Sequence, residues 1–199
     1  MPKKIKLQGK YARLANKMLH EVTEILEQEN IHYVLEAGTL LGIVRENRLL
    51  PWDHDLDVTI PSDYCHHLLK IRWKFWRKGY RTRIRKFARD IGPFKKGMPR
   101  ILKIQTTKFL FIKDTSLMDI FIKYPVKDEY QWIVSVKKPV LKGTPKHFYD
   151  KRTQITYREK KYFVPLDYKG YLTYHYGNWK VPVKEWNFRT DDNCVKKEL

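Results

Sequence analysis

Leu35-Glu36-Ala37-Gly38-Thr39-Leu40-Leu41-Gly42-Ile43-Val44-Arg45, followed by Pro51-Trp52-Asp53-His54-Asp55-Leu56-Asp57-Val58, decides how this chain reads. Side chains two apart on a strand share a face, so Asp53, Asp55 and Asp57 are expected to converge, with Leu56, Val58 and Ile60 on the opposite face. Three like charges beside apolar neighbours repel one another unless a cation sits among them. Oxygen-only ligands select hard ions such as Mg²⁺ or Mn²⁺. The pattern reads as a metal-dependent phosphoryl-transfer site.

Such chemistry needs charge neutralised on phosphate and the nucleophile held in line, with little covalent work from the protein. Two metal ions about 4 Å apart clamp attacking and leaving oxygens alike. Asp55 and Asp57 supply a first carboxylate pair. Asp119, in Leu117-Met118-Asp119-Ile120-Phe121-Ile122, is the best third, because a lone charge in an apolar strand is costly unless paired or coordinated. A solvent-facing edge position is the plain alternative for Asp119. Gly38 and Gly42 bracket a turn where backbone amides and a short helix N-terminus can approach phosphate. Thr39 either donates to that phosphate or caps the helix, and Arg45 is a phosphate clamp or a salt-bridge partner of Glu46 or Asp53. With Lys103 these four form the expected donor-binding set. His54 alternates with the aspartates and is expected to turn away.

The 199 residues suffice for one sizeable core. With 42% hydrophobic residues and 14% aromatics, disorder is excluded. Lys and Arg number 41 against 22 acids, a net +19 that points to polyanions without choosing among nucleic acid, phosphate-bearing polymer, anionic membrane and nucleotide. Two cysteines, Cys65 and Cys194, lack CxxC spacing, which argues against a disulfide framework and a cysteine-zinc site. No apolar run approaches the roughly 18 residues a membrane span needs, and Met1-Pro2-Lys3-Lys4 leads into no signal-like apolar segment. The expectation is a cytoplasmic protein that can sit peripherally at an anionic membrane surface.

Apolar residues from Leu7 to Leu26 recur at spacings of three and four and predict a first helix over about 7–29, stopped near Asn30. A short strand at Tyr33-Val34-Leu35, a brief helix capped by Thr39 and a half-buried strand around Leu56–Ile60 follow. One helix is expected from Pro61 to about Arg77, ended by Gly79. Strands are expected near Tyr80–Phe87, Ile101–Thr106, Leu117–Lys123 and Tyr130–Val136. The Tyr-rich part over about 126–185 carries Pro139, Pro145, Pro165 and Pro182 and reads as irregular. No repeat or linker marks a second domain, so residues 1–199 are read as one α/β unit with a catalytic core over about 31–125.

Between Lys70 and Lys103, inclusive, fourteen basic residues face a single acid, Asp90. They form either a solvated face or a basic platform beside the carboxylates. Interleaved Trp73, Phe75 and Trp76 also suit base stacking, though a helix there needs aromatics for its own core.

The segment Leu35–Ile60 resembles the LicD/fukutin family, whose hallmark is GTLLG-x-x-R followed by PWD-x-D-x-D. The likeness continues at Met118-Asp119-Ile120-Phe121 and, more loosely, at Phe148, Val164-Pro165, Tyr171-Leu172, Tyr176-Gly177-Asn178-Trp179 and Pro182. The resemblance implies a nucleotidyltransferase-like mixed sheet flanked by helices. It also implies transfer of a phospho-alcohol, such as phosphocholine or ribitol phosphate, from a CDP-linked donor to a glycan hydroxyl or anionic polysaccharide. On that pattern Asp55, Asp57 and Asp119 are the Mg²⁺ or Mn²⁺ ligands, Asp53 is a supporting anchor or an additional ligand, and Asp119 can also take the acceptor's proton. No cysteine cluster resembles the zinc-binding insertion of fukutin-related proteins. Nucleotidyl transfer to a small molecule, protein or RNA is the alternative. A non-enzymatic nucleic-acid binder explains +19 but leaves the clustered carboxylates without a purpose, so nucleic acid is disfavoured as partner. Tyr174, Tyr176 and Trp179 are core residues or an aromatic cage for a quaternary ammonium.

Overall fold

A computed structural model describes residues 5–108, 112–135, 138–183 and 186–199. Helix α1 (Gly9–Gln28) buries Ala15, Met18, Leu19, Val22, Ile25 and Leu26, the stripe its spacing predicts. It starts two residues later than expected, because Leu7 belongs to a different contact: its N–H donates to Asp53 O at 2.9 Å. Asn30, at φ 53°, turns the chain away in the left-handed region.

Strand β1 (Val34–Leu35) leads into helix α2 (Ala37–Glu46), which ends at Asn47 with φ 49°. The helix begins before Thr39, so Thr39 does not cap it; Glu36 holds the cap position without a side-chain cap bond. Gly42 lies inside α2, where a Cβ would stand 2.6 Å from Arg48 O and 3.0 Å from Leu50 N. Its role here is close approach of helix and following loop.

Strand β2 (Leu56–Pro61) is followed by a 3₁₀ turn (Ser62–Tyr64), then α3 (Cys65–Lys70) and α4 (Arg72–Arg77). The single helix expected over this span is broken at Ile71, whose ψ of 6° ends one run of helical bonds before the next begins. Gly79, at φ 84°, closes it as expected. Next come β3 (Tyr80–Lys86), β4 (Pro99–Lys108), β5 (Ile112–Val126) and β6 (Glu129–Val134). Val136, the expected end of the last of these, lies outside the described residues, as do Met1–Lys4.

The C-terminal third is more regular than its prolines suggest. It holds β7 (Val140–Pro145), α5 (His147–Asp150), β8 (Arg152–Tyr157), β9 (Lys160–Pro165), α6 (Tyr168–Tyr176) and β10 (Val195–Glu198). Pro145 and Pro165 are last residues of strands and Pro139 precedes one, positions where no ladder N–H is needed. They punctuate strands instead of interrupting them.

The main sheet is mixed. β2 and β5 are parallel, with Asp57 opposite Asp119 and Pro61 opposite Lys123. β4 lies antiparallel on the other side of β5, and β3 antiparallel on β4. One rung therefore runs Asp57–Asp119–Lys103–Arg83 across four strands. Leu56, Val58, Ile60, Met118, Ile120, Leu102 and Ile104 occupy the opposite face and are buried, with α1 against β5 and α4 against β3. Past Lys123, β5 runs on to pair β6, which continues through β7 to β10; β8 and β9 form a separate hairpin. Among the described residues no helix is long and apolar enough to cross a membrane.

Replacing Gly42 with Ala puts a methyl into backbone and is expected to destabilise the fold by about 1–3 kcal/mol. Urea unfolding measures it; an unchanged midpoint would mean that α2 and the 48–50 loop are not in the close contact described.

Candidate active site

Asp57 sits on β2 with both backbone groups fixed: its N–H donates to Thr39 Oγ1 at 2.8 Å and its carbonyl accepts from Glu36 N at 3.0 Å. Across the parallel pair, Asp119 places its oxygens 2.8 and 2.6 Å from Lys103 Nζ. Asp53 and Asp55 precede β2, so the strand periodicity that predicted convergence covers only Asp57. The 51–52 turn brings the other two in: Asp53 N donates to Leu50 O at 3.0 Å, and Asp53 Oδ1 accepts from His54 N at 2.8 Å. Asp53 Oδ2 lies where a Cβ on residue 38 would stand, so only glycine fits there. His54 Nδ1 is 2.5 Å from Ile5 O, tying the turn to the N-terminal segment.

The carboxylates crowd one another. Burial, reinforced by Asp119 and Asp53, pushes Asp55 up to about 6. Burial, with Asp55, Asp53 and Asp119 adding to it, drives Asp57 well above the usual carboxylate range. Burial also raises Asp53. Lys103 bonds its ammonium to this group through both oxygens of Asp119. A half-buried, oxygen-only donor set with excess negative charge has the chemistry of a hard divalent-cation site, although among the described residues no three of these carboxylates bring ligand oxygens within 4.8 Å of one another.

A buried ion pair sits behind these carboxylates. Glu36 Oε1 accepts from Lys123 Nζ at 3.0 Å and from the Tyr171 hydroxyl; its Oε2 accepts from Thr59 Oγ1 at 2.9 Å and the Tyr149 hydroxyl at 3.1 Å. Burial works to raise the Glu36 carboxyl, but Lys123, His175 and Tyr171 outweigh it and hold it below its ordinary range. Lys123 Nζ also donates to Tyr149 OH at 2.6 Å and stands 3.4 Å over the Trp132 ring. Carboxylates and ion pair together line a cavity of about 1060 Å³. Its farther wall includes Trp132, His175, Tyr176, Trp179, Trp186 and Phe188.

Of the expected donor-binding residues, Gly38 and Arg45 line this cavity. Arg45 is engaged with Glu46, at 2.7 and 3.1 Å, and with Trp179 O at 3.3 Å, tying α2 to the segment after α6. Thr39 spends its hydroxyl on Asp57 N and Gly42 packs on Arg48, so neither faces the cavity. Lys103 reaches the site through Asp119. Tyr176 and Trp179 face the cavity, whereas Tyr174 packs 5.9 Å from the Phe148 ring. The interleaved tryptophans lie elsewhere, on α4: Trp73 has Arg77 and Lys74 over its ring, and Trp76 donates to Thr82 Oγ1 at 3.1 Å.

Sequence reasoning passed over Glu36, Lys123, Trp132 and His175. Lys123 carried a readable signal, being a second lone charge in an apolar strand two periods beyond Asp119. At the far end, His175, Asp192 and Cys194 bring potential ligand atoms within 4.8 Å of one another. Lys142 already pairs with Asp192, and burial pushes the Cys194 thiol far up, so this group is closed as an ion pair and a neutral thiol.

The family described as LicD/FKTN/FKRP, nucleotidyltransferase domain, matches residues 30–167. That is well over half of the chain, and the chain belongs to this family. An uncharacterized protein of Rickettsia typhi is 28% identical over 184 residues, 89% of this chain and 50% of that protein. The ribitol-5-phosphate transferase FKTN of Homo sapiens is 24% identical over 183 residues, 90% of this chain and 36% of that protein. The lipopolysaccharide cholinephosphotransferase LicD of Haemophilus influenzae is 29% identical over 117 residues, 57% of this chain and 43% of that protein. The chain thus spans half or less of the length of these relatives.

Burial lowers His175 to about 4, against the pull of Asp192 and Glu36 and with Lys142 and Lys123 adding to it. Its Nδ1 stands 3.1 Å from Asp192 Oδ1 but off the line of a hydrogen bond. The unfolded chain binds this proton more readily, so stability is expected to fall as pH drops from about 6.5 toward 4. His175→Asn should lose part of that slope in denaturant unfolding at pH 7 and pH 5; an identical slope would place His175 in contact with water.

Proposed function

We propose that this chain transfers a phospho-alcohol from a CDP-linked donor to a glycan hydroxyl, using Mg²⁺ or Mn²⁺ held by Asp55, Asp57 and Asp119 with Asp53 in support. The observation that carries the reading is the Asp57–Asp119 rung at a cavity of about 1060 Å³, in a member of a family containing ribitol-5-phosphate and choline phosphotransferases. A bound divalent ion would neutralise the donor diphosphate and stabilise charge on the leaving phosphate. The acceptor oxygen forms a bond to the phosphorus carrying the alcohol, the bond from that phosphorus to the CMP oxygen breaks, and CMP leaves with the electron pair.

The chain's own groups divide the remaining work. Asp119 accepts the hydroxyl proton only when Lys103 leaves its oxygens, and an incoming diphosphate offers that ammonium another anion. Arg45 holds Trp179 at the wall and Gly38 gives Asp53 room beside the donor. Lys123 occupies the Trp132 face at 3.4 Å, and Lys142 lines the same cavity. With the Trp132 face already taken by a cation, the aromatic end favours a polyol phosphate over a quaternary ammonium.

Incubation with CDP-ribitol, CDP-choline and nucleoside triphosphates tests the reading. The expected outcome is metal-dependent CMP release, faster with CDP-ribitol, and its loss by at least about 10²-fold in Asp55→Asn or Asp57→Asn without any loss of thermal stability. Pyrophosphate release from a triphosphate, or wild-type turnover in either variant, would overturn it.

A further inference from the structure

Strand β3 is an edge strand with an arginine at every second position from 81 to 85. Arg81, Arg83 and Arg85 alternate with Tyr80, Thr82 and Ile84, which turn toward the helices. The register fixes their face. Arg83 is opposite Lys103 and Lys103 opposite Asp119, while Arg85 is opposite Ile101 and Ile101 opposite Phe121. The three arginines therefore stand on the same side of the sheet as Asp57 and Asp119. Strand spacing puts Arg83 about 10 Å from Asp119 between Cα positions.

A chain with 41 Lys and Arg against 22 acids leaves many cations without a carboxylate partner; what sets this row apart is its alignment on the carboxylate face. Arg81 and Arg83 are exposed and Arg85 half-buried, and none has an ion pair or hydrogen-bond partner among the described residues. Some other cations have carboxylate partners, among them Lys74 with Glu29, Lys95 with Asp90, Lys196 with Glu129 and Arg189 with Glu198. Arg100, beside this row, donates to Ile133 O at 3.4 Å. Arg83 stands directly opposite Lys103, and like charges so opposed destabilise a ladder, a cost that an anion bound along the row would relieve.

We infer that Arg81, Arg83 and Arg85 form a track for an anionic acceptor, a chain of phosphodiester-linked polyol or sugar units whose terminal hydroxyl reaches the carboxylates beside Asp119. The inference rests on reading those carboxylates as the transfer site, and it adds where the acceptor lies and which chemistry it carries. Guanidinium groups suit phosphodiesters because their forked donors match two phosphate oxygens. Lys103, between the track and Asp119, continues the cationic line to the reacting centre.

Fluorescence anisotropy with a labelled synthetic oligo(glycerol phosphate) tests the track without requiring turnover. The Arg81→Gln/Arg83→Gln/Arg85→Gln variant should bind roughly tenfold more weakly, with a shallower salt dependence. Lys151→Gln/Lys160→Gln/Lys161→Gln, which removes equal charge from the β8–β9 hairpin, should bind as wild type. Equal losses in the two variants, or full binding by the arginine variant, would overturn the track. So would a loss seen only with phosphatidylglycerol vesicles or with single-stranded RNA, each run in parallel. CMP release to water, measured without acceptor, should persist in the arginine variant. Arginine-dependent binding with no CMP release by wild type would sink the transfer reading alone. CMP release with arginine-independent binding would sink the track alone.

Discussion

The Glu36 carboxylate lies buried between two segments that must meet for the site to exist. It takes hydrogen bonds from Lys123 on β5, Thr59 on β2, Tyr149 on α5 and Tyr171 on α6, while its own N–H fixes the carbonyl of Asp57. A buried carboxylate is tolerated only when paired and fully hydrogen-bonded. That requirement draws the C-terminal third onto the front of the sheet. Lys123 lies two strand periods from Asp119, and Glu36 two residues before the glycine that makes room for Asp53, so satisfying one charge pair sets the frame for both halves of the carboxylate group. Ala37 follows at φ 45°, a conformation costly for a residue with a Cβ, which is consistent with a backbone held by its surroundings.

Around that frame the chain keeps two unbalanced charge groups side by side. The carboxylates are half-buried or buried, mutually repelling and served by Lys103. The arginines of β3 are unpaired on the same face of the sheet. Either group alone is a cost to folding, and each is relieved by a ligand of opposite sign: a divalent cation for one, a phosphate-bearing chain for the other. Placing them one strand apart, with Lys103 between, gives a surface on which a polyanion can lie without approaching bare carboxylates.

Much of the site was legible because charge in an apolar strand is expensive. Asp57 and Asp119 follow from that argument, and the register pairs them directly. Asp53 and Asp55 reach the same place by another route: strand periodicity does not extend to them, and the 51–52 turn does the work. Thr39 and Gly42 carried an ambiguous signal, since a glycine or hydroxyl near a phosphate site has the same sequence as one that packs a helix or fixes an amide. The helix expected through Arg77 failed because its break at Ile71 needs neither Pro nor Gly. In the last third, aromatic residues and prolines mask strands whose periodicity is short, and Glu36 found Lys123, Tyr149 and Tyr171 more than eighty residues away, a distance that no local pattern encodes.

The central claim is that the Asp55, Asp57 and Asp119 carboxylates hold a hard divalent cation. Isothermal titration of Mn²⁺ into wild type and Asp57→Asn tests it most directly. The account predicts a saturable site in wild type that Mg²⁺ displaces and the variant loses, with the folded state of both intact by circular dichroism. Equal Mn²⁺ binding by the two proteins, or none by wild type, would contradict it.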